Sequence, residues 1–146
     1  NSNIRRPRIM ASILRVNTLT DASSNNSTAV STIHQGTTKA WIAHSGYSTP
    51  TAEDSFNHAS LTDVGTGNYK YNFTNNFRAA KSYTNNGGMA HDSDQLGTYA
   101  KVVNPINTAD ILTSSVEVSA TYVGAGPSNG VYDYDNVYHS CLGDLA

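Results

Sequence analysis

The chain reads as an all-β protein, an antiparallel β-sandwich or jelly-roll-like body carrying an extended N-terminal segment. Three observations predict this. Apolar and polar residues alternate with a period of two, most clearly where Tyr69, Tyr71 and Phe73 interleave with Lys70, Asn72 and Thr74, which gives a strand one apolar face and one wet face. Turn formers recur at roughly even spacing, among them Gly65-Thr66-Gly67, Asn75-Asn76, Asn104-Pro105 and the glycine-rich 124–130, as short strands require. Charged residues are only 14%, against about a quarter in ordinary soluble domains, so neutral polar pleated faces are expected rather than salt-bridged helices.

At 146 residues the chain suits one domain with its own core. Its N-terminal part, 1–35, reads as an attachment arm and polar spacer, and 36–146 as the body. Residues 1–9 are polar and basic, with Pro7 opposing a regular element. Ile9 to Leu19 is rich in Ile, Val and Thr and reads as a strand. Asp21 to Thr32 has few large apolar groups among its Ser, Asn and Thr, the composition of a linker or long loop.

Within the body, Lys39 to His44 is a strand holding the only tryptophan, Trp41, and Pro50 separates it from a hairpin. That hairpin is antiparallel, with Phe56 to Leu61 and Tyr69 to Phe73 flanking a turn that holds two glycines. The three strands read as one meander, with Trp41, Phe56, Tyr69, Tyr71 and Phe73 as scaffold. In Phe77 to Ala90, Asn86-Gly87 marks a hairpin apex or a β-bulge. Thr98 to Val103 is a strand ending before Asn104-Pro105. Ala109 to Val123 is the longest strand-like run, with Val116, Val118, Ala120 and Tyr122 on one face and Glu117, Ser119 and Thr121 on the other. Val131 to Leu142 closes the chain. No segment reads as a helix.

A net charge of −2 and a pI near 6.2 supply no drive toward nucleic acid. With no apolar run of about 18 residues and no signal peptide, no membrane insertion is expected. The basic cluster Arg5, Arg6, Arg8 and Arg15 lies in the arm. Cys141 is alone, which rules out an intramolecular disulfide and leaves it the role of a small core residue.

Nucleophile-elbow, zinc-protease, phosphate-loop and EF-hand motifs are absent, so the expectation is no enzyme and no cofactor. A hydrolase would need paired carboxylates; Glu53-Asp54 and Asp133/Asp135 are the close pairs. His91, Asp92 and Asp94 sit in one loop and could hold a hard cation, but Asp in a Ser-rich loop reads first as a turn former, and no metal is expected. The five histidines, 34, 44, 58, 91 and 139, are scattered and read as surface or interface positions. Sequons at Asn26 and Asn72 are read as chance. Tyrosine joins a flat apolar face to a polar tip, which makes Tyr132, Tyr134 and Tyr138, near the glycine-rich loop, the candidates for ligand binding.

KAWIAHSG at 39–46, DSFNHASLTDVGTGNYKYNFTN at 54–75 and NVYHSCLGD at 136–144 together resemble a module of virion appendage proteins of tailed bacteriophages, especially phages of marine bacteria and cyanobacteria. The first two follow its pattern of a tryptophan strand, a polar loop, an S-F-N strand, a T-D-x-G-T-G turn and a Y-x-x-N-F-T strand. ILRVNTLTDAS at 13–23 resembles the opening of such proteins, which places Met10 where their chains commonly begin. His44, His58 and Lys70 depart from the pattern, and 77–103 matches nothing in it.

The resemblance implies a structural protein of the virion, a tail-fibre-like or capsid-decoration appendage. It would be a homotrimer in contact with other virion proteins, its arm attached through Arg5, Arg6, Arg8, Ile13, Leu14 and Val16. The body would project outward, with host adsorption through a cell-surface glycan as its further role. The alternative is a free carbohydrate-binding module or lectin with no particle attachment.

Overall fold

Alternating apolar positions on successive strands leave two sheets that each need a dry face covered, and here they cover one another. The computed structural model describes residues 15–24, 26–90, 100–123 and 129–146. These fall into two compact units, one ending at Ile33 and one running His34–Ala146.

In the first unit β1 (Thr18–Thr20) pairs antiparallel with β2 (Ser27–Ala29). Asp21 ties the turn between them: its Oδ1 accepts from Ser23 Oγ at 3.0 Å and its Oδ2 from Asn26 Nδ2 at 2.8 Å, while its backbone N–H donates to the Asn26 carbonyl oxygen at 3.0 Å. The expectation of a structureless linker is thereby corrected, because Asp, Ser and Asn in that stretch act as turn formers. Next comes α1 (Val30–Gly36), with no buried residue. It corrects the expectation of no helix: seven residues are too few to show as a periodic apolar stripe.

In the second unit β3 (Thr38–Ser45), β4 (Thr51–Phe56), β7 (Thr84–Ala90) and β11 (Asn136–Leu142) form a four-stranded antiparallel sheet in the order β4-β3-β11-β7. The other sheet holds β5 (His58–Gly65), β6 (Asn68–Phe73), β8 (Ala100–Pro105), β9 (Ser115–Val123) and β10 (Asn129–Val131). In this sheet β9 is the spine. Val118 and Ser119 pair with both β6 and β8, and Thr121 to Val123 with both β10 and β8, so β8 lies along one side of β9 while β6 and β10 share the other.

The β-sandwich reading therefore holds, and the expected hairpin forms between β5 and β6, turning through Gly65 and Gly67 at φ 148° and 66°, although its first strand begins at His58 and not at Phe56. The three-strand meander does not. β4 pairs with β3 and β5 pairs with β6, in different sheets, although only Asn57 separates β4 from β5.

Asn57 makes the change of sheet at φ 59°, in the left-handed region that asparagine tolerates better than most side chains. Its amide clamps the neighbouring chain: Oδ1 accepts from Asn75 N at 2.7 Å and Nδ2 donates to Asn75 O at 3.1 Å. Its carbonyl accepts from Thr74 N at 3.2 Å.

Between the sheets lie Ala40 and Ile42 of β3, Tyr69, Tyr71 and Phe73 of β6, Val116, Val118 and Ala120 of β9, Val103 of β8, and Val137 and Cys141 of β11. Phe73, Phe77 and Tyr83 close one end, the last two stacked at 4.1 Å between ring centroids. The Tyr83 hydroxyl donates to the Leu112 carbonyl oxygen at 2.7 Å. Three smaller readings are also corrected. Asn86-Gly87 is neither apex nor bulge but lies inside β7, in unbroken register with β11. The strand expected from Ala109 begins only at Ser115, because Asn107 caps a 3-10 turn, Thr108–Asp110, by accepting from Ala109 N at 2.8 Å. β8 runs on through Pro105, which an edge strand accommodates since the missing N–H would find no partner.

Asn57→Ala removes two amide contacts and leaves an ordinary side chain in the left-handed region, an expected loss of about 2–3 kcal/mol in urea unfolding. Asn57→Gly keeps the backbone conformation and loses only the contacts, so about half that loss is expected. Equal losses in the two variants would show that the backbone conformation at 57 is not the constraint.

Candidate functional site

Strand parity sets up two different surfaces on the β4-β3-β11-β7 sheet. In β3, Ala40, Ile42 and His44 point into the sandwich and are buried, so Trp41 and Ala43 point out. In β11, Val137, His139 and Cys141 point in and Tyr138 and Ser140 point out. The register sets Ser140 between Trp41 and Asn86, and Tyr138 between Ala43 and Gly88. Those six residues line a groove of about 460 Å³ on the outer face. On the next strand Phe56 pairs with Trp41 and Asp54 with Ala43, which places them on the same face.

Every described side chain lining this groove is uncharged at neutral pH. Two aromatic rings, an amide and a hydroxyl offer flat apolar faces together with neutral donors and acceptors. Gly87 and Gly88 beside them differ in kind. A Cβ on Gly87 would fall 2.6 Å from Val103 Cβ, so β7 needs glycine there to approach β8. A Cβ on Gly88 would meet nothing within 4 Å.

Directly behind the groove the interior holds a histidine cage around Tyr71. Its ring lies 5.6 Å from that of His44 (β3), 5.5 Å from His58 (β5) and 4.9 Å from His139 (β11). His44 Nδ1 donates to the Ser45 carbonyl oxygen at 3.0 Å, which leaves Nε2 to accept from the Tyr71 hydroxyl at 2.9 Å. Both ring nitrogens of His58 and Nε2 of His139 are buried without a hydrogen-bond partner among the described residues.

Burial lowers the pKa of all three, His58 to about 4 and His139 to about 3, with neighbouring cage histidines adding to the shift in those two. A Ser45 backbone bond and the Glu53 charge only partly oppose the effect at His44. The cage is thus held neutral. The expectation of surface or interface histidines is corrected for these three, because a period-2 strand turns alternate residues inward whatever their polarity, whereas His34 is exposed and His91 lies outside the described residues.

Burial also pushes the Cys141 thiol up to about 12. Its Sγ lies 3.8 Å from His139 Nδ1, but both groups are enclosed and the thiol stays protonated. Among the described residues no group of three His, Cys, Asp or Glu could hold a metal ion. The His91, Asp92 and Asp94 loop lies outside the described residues.

The tyrosines singled out from the sequence do not converge. Tyr134 is 0% exposed, part of the core, and so offers no contact surface. Its ring meets that of Tyr132 edge-on at 5.6 Å, and Tyr132 stands exposed at a corner with Tyr47 and Asp133. Tyr138, 48% exposed, belongs to the groove. The Asp133 carboxylate is engaged structurally, Oδ1 accepting from Gly67 N at 2.6 Å and from the Tyr69 hydroxyl at 3.2 Å.

Trp41 and Phe56 are not core scaffold: Trp41 is half-buried on the outer face and Phe56 is 52% exposed on an edge strand. The parity of Trp41 against Ile42, and of Tyr138 against Val137, is the sequence signal that sets both aromatic residues opposite the core positions of their strands. Of the attachment candidates, Arg5, Arg6, Arg8, Ile13 and Leu14 lie outside the described residues, and Val16 is 39% exposed. No helix among the described residues is long and apolar enough to cross a membrane. No family model, no curated protein and no solved structure matches the chain.

Because these imidazoles bind protons less readily folded than unfolded, stability is complete above the unfolded value of about 6.5 and is lost as pH falls toward 4. Each cage histidine contributes a slope of up to about 1.4 kcal/mol per pH unit in that window. Urea unfolding between pH 4 and 8 should therefore show a flat limb above 6.5 and a steep acid limb. His139→Leu and His58→Leu should each make the acid limb shallower. An unchanged limb in both would place the acid sensitivity outside the cage.

Proposed function

We propose that the chain is a structural appendage of a tailed-bacteriophage virion, of the fibre or capsid-decoration type, whose β-sandwich body meets the host surface through the Trp41–Tyr138 groove. The observation that carries the contact role is the groove itself, an uncharged aromatic recess on an outer sheet face. Aromatic side chains are enriched in binding faces relative to the rest of a protein's surface. The particle context rests on the resemblance of 39–46, 54–75 and 136–144.

Charge supports a division of labour. Four arginines against one aspartate leave residues 1–33 at +3, whereas five lysines and arginines against ten acids leave 34–146 at −5. A cationic segment favours docking on an acidic particle surface, while the acidic, weakly charged body stays solvated. Many copies on one particle convert weak single contacts into firm adsorption. As a homotrimer the appendage would multiply those contacts further.

A chain lacking residues 1–33, supplied during particle assembly, should fail to co-purify with virions although the full-length chain does. Arg5, Arg6 and Arg8 changed together to Ala should weaken retention, most visibly as salt is raised. Equal incorporation of truncated and full-length chains would overturn residues 1–33 as the anchor, and a full-length chain that fails to co-purify would overturn the appendage reading in favour of a free lectin.

A further inference from the structure

We infer that the groove between Trp41 and Tyr138 is a binding site for a neutral pyranose unit of a glycan; this rests on the reading of the body as a surface-contact module and names the ligand class for that site. Glycine inside a strand weakens it unless a bulge, a tight packing contact or an approaching ligand requires the missing side chain. At Gly88 the register with β11 is unbroken, the backbone is not in the left-handed region, and among the described residues a Cβ would meet nothing within 4 Å. The space therefore serves neither the backbone nor the packing, and it opens between an exposed tyrosine and a half-buried tryptophan.

The chemistry of the lining agrees with its shape. A pyranose presents an apolar C–H face and a rim of hydroxyls. The groove is lined by the aromatic side chains of Trp41 and Tyr138 and by the Asn86 amide and Ser140 hydroxyl, which both donate and accept. Among the described residues no cation lines the groove, and the one histidine among them, His139, is buried and held neutral. Asp54 stands beside it on β4. A uronate or sulfated sugar would find no countercharge and would meet that carboxylate, so the site selects against anionic glycans.

The test uses the full chain and its single tryptophan, which sits in the groove and reports on it directly. Trp41 emission is titrated with oligosaccharides of a neutral glucan, galactan and mannan, and with an alginate oligosaccharide as the anionic probe, while light scattering follows mass. A saturable change with at least one neutral probe and none with alginate is expected. Gly88→Leu, which fills the groove and leaves both aromatic residues in place, should weaken that response at least about tenfold, with the unfolding midpoint retained. Tyr138→Ala, which also keeps the reporter, should act in the same direction.

The inference is overturned if no neutral probe alters the emission, if Gly88→Leu binds as well as the parent chain, or if alginate binds best. It is equally overturned if Gly88→Leu lowers the mass of an oligomer, since the groove would then be an interface between copies. Failure here with particle incorporation intact removes the ligand and leaves the appendage reading standing. Saccharide binding without incorporation does the reverse.

Discussion

The left-handed corner at Asn57 is the constraint on which the arrangement of both sheets depends. Up to Phe56 the chain is an edge strand of one sheet, and from His58 it is a strand of the other. A single residue at φ 59°, held by two amide contacts to Asn75 and one backbone bond to Thr74, absorbs the whole change of direction. The residues on either side are consequently dealt to opposite environments. Phe56 stands in water on the groove face, while the ring nitrogens of His58 are sealed in the interior. On the far side of the sandwich, the approach of β7 to β8 at Gly87 and Val103 makes the other junction between the sheets.

Between those two junctions the β4-β3-β11-β7 sheet does two jobs at once. Its inner parity supplies His44 and His139 to the cage around Tyr71, and its outer parity supplies Trp41 and Tyr138 to the groove. The faces are one backbone apart, so the order of the groove rests on an interior that tolerates no charge. A buried imidazole without a partner is stable only while neutral. Tyr71 resolves part of the polar demand by donating to His44 Nε2, and the remaining nitrogens are kept from water by aromatic neighbours.

How far the residues disclose this varies from element to element. The β5–β6 hairpin and the two faces of β9 are legible, because period-2 alternation and a glycine turn are local signals. The helix Val30–Gly36 is not, since seven residues with none buried show no stripe. Trp41 and Phe56 defeat the habit of counting large aromatics as core. Burial in a strand follows parity, and parity is legible only once a neighbour such as Ile42 is known to point inward. Tyr132, Tyr134 and Tyr138 are close in sequence, but the break at 132–135 between β10 and β11 sends them to a corner, the core and the groove respectively.

The amino-acid sequence by itself determined the class of this protein: alternation wrote the strands, turn residues wrote their ends, and the scarcity of charge required neutral polar faces. Only the tertiary structure decided which strand joins which sheet, because one residue of left-handed backbone at Asn57 cannot be told from an ordinary strand position by its neighbours. It also decided where the scattered histidines of the cage and the aromatic residues went. Contacts such as His44 with Tyr71, 27 residues apart, and the pairing of Tyr138 with both Ala43 and Gly88 exist only after strands distant in sequence are set side by side.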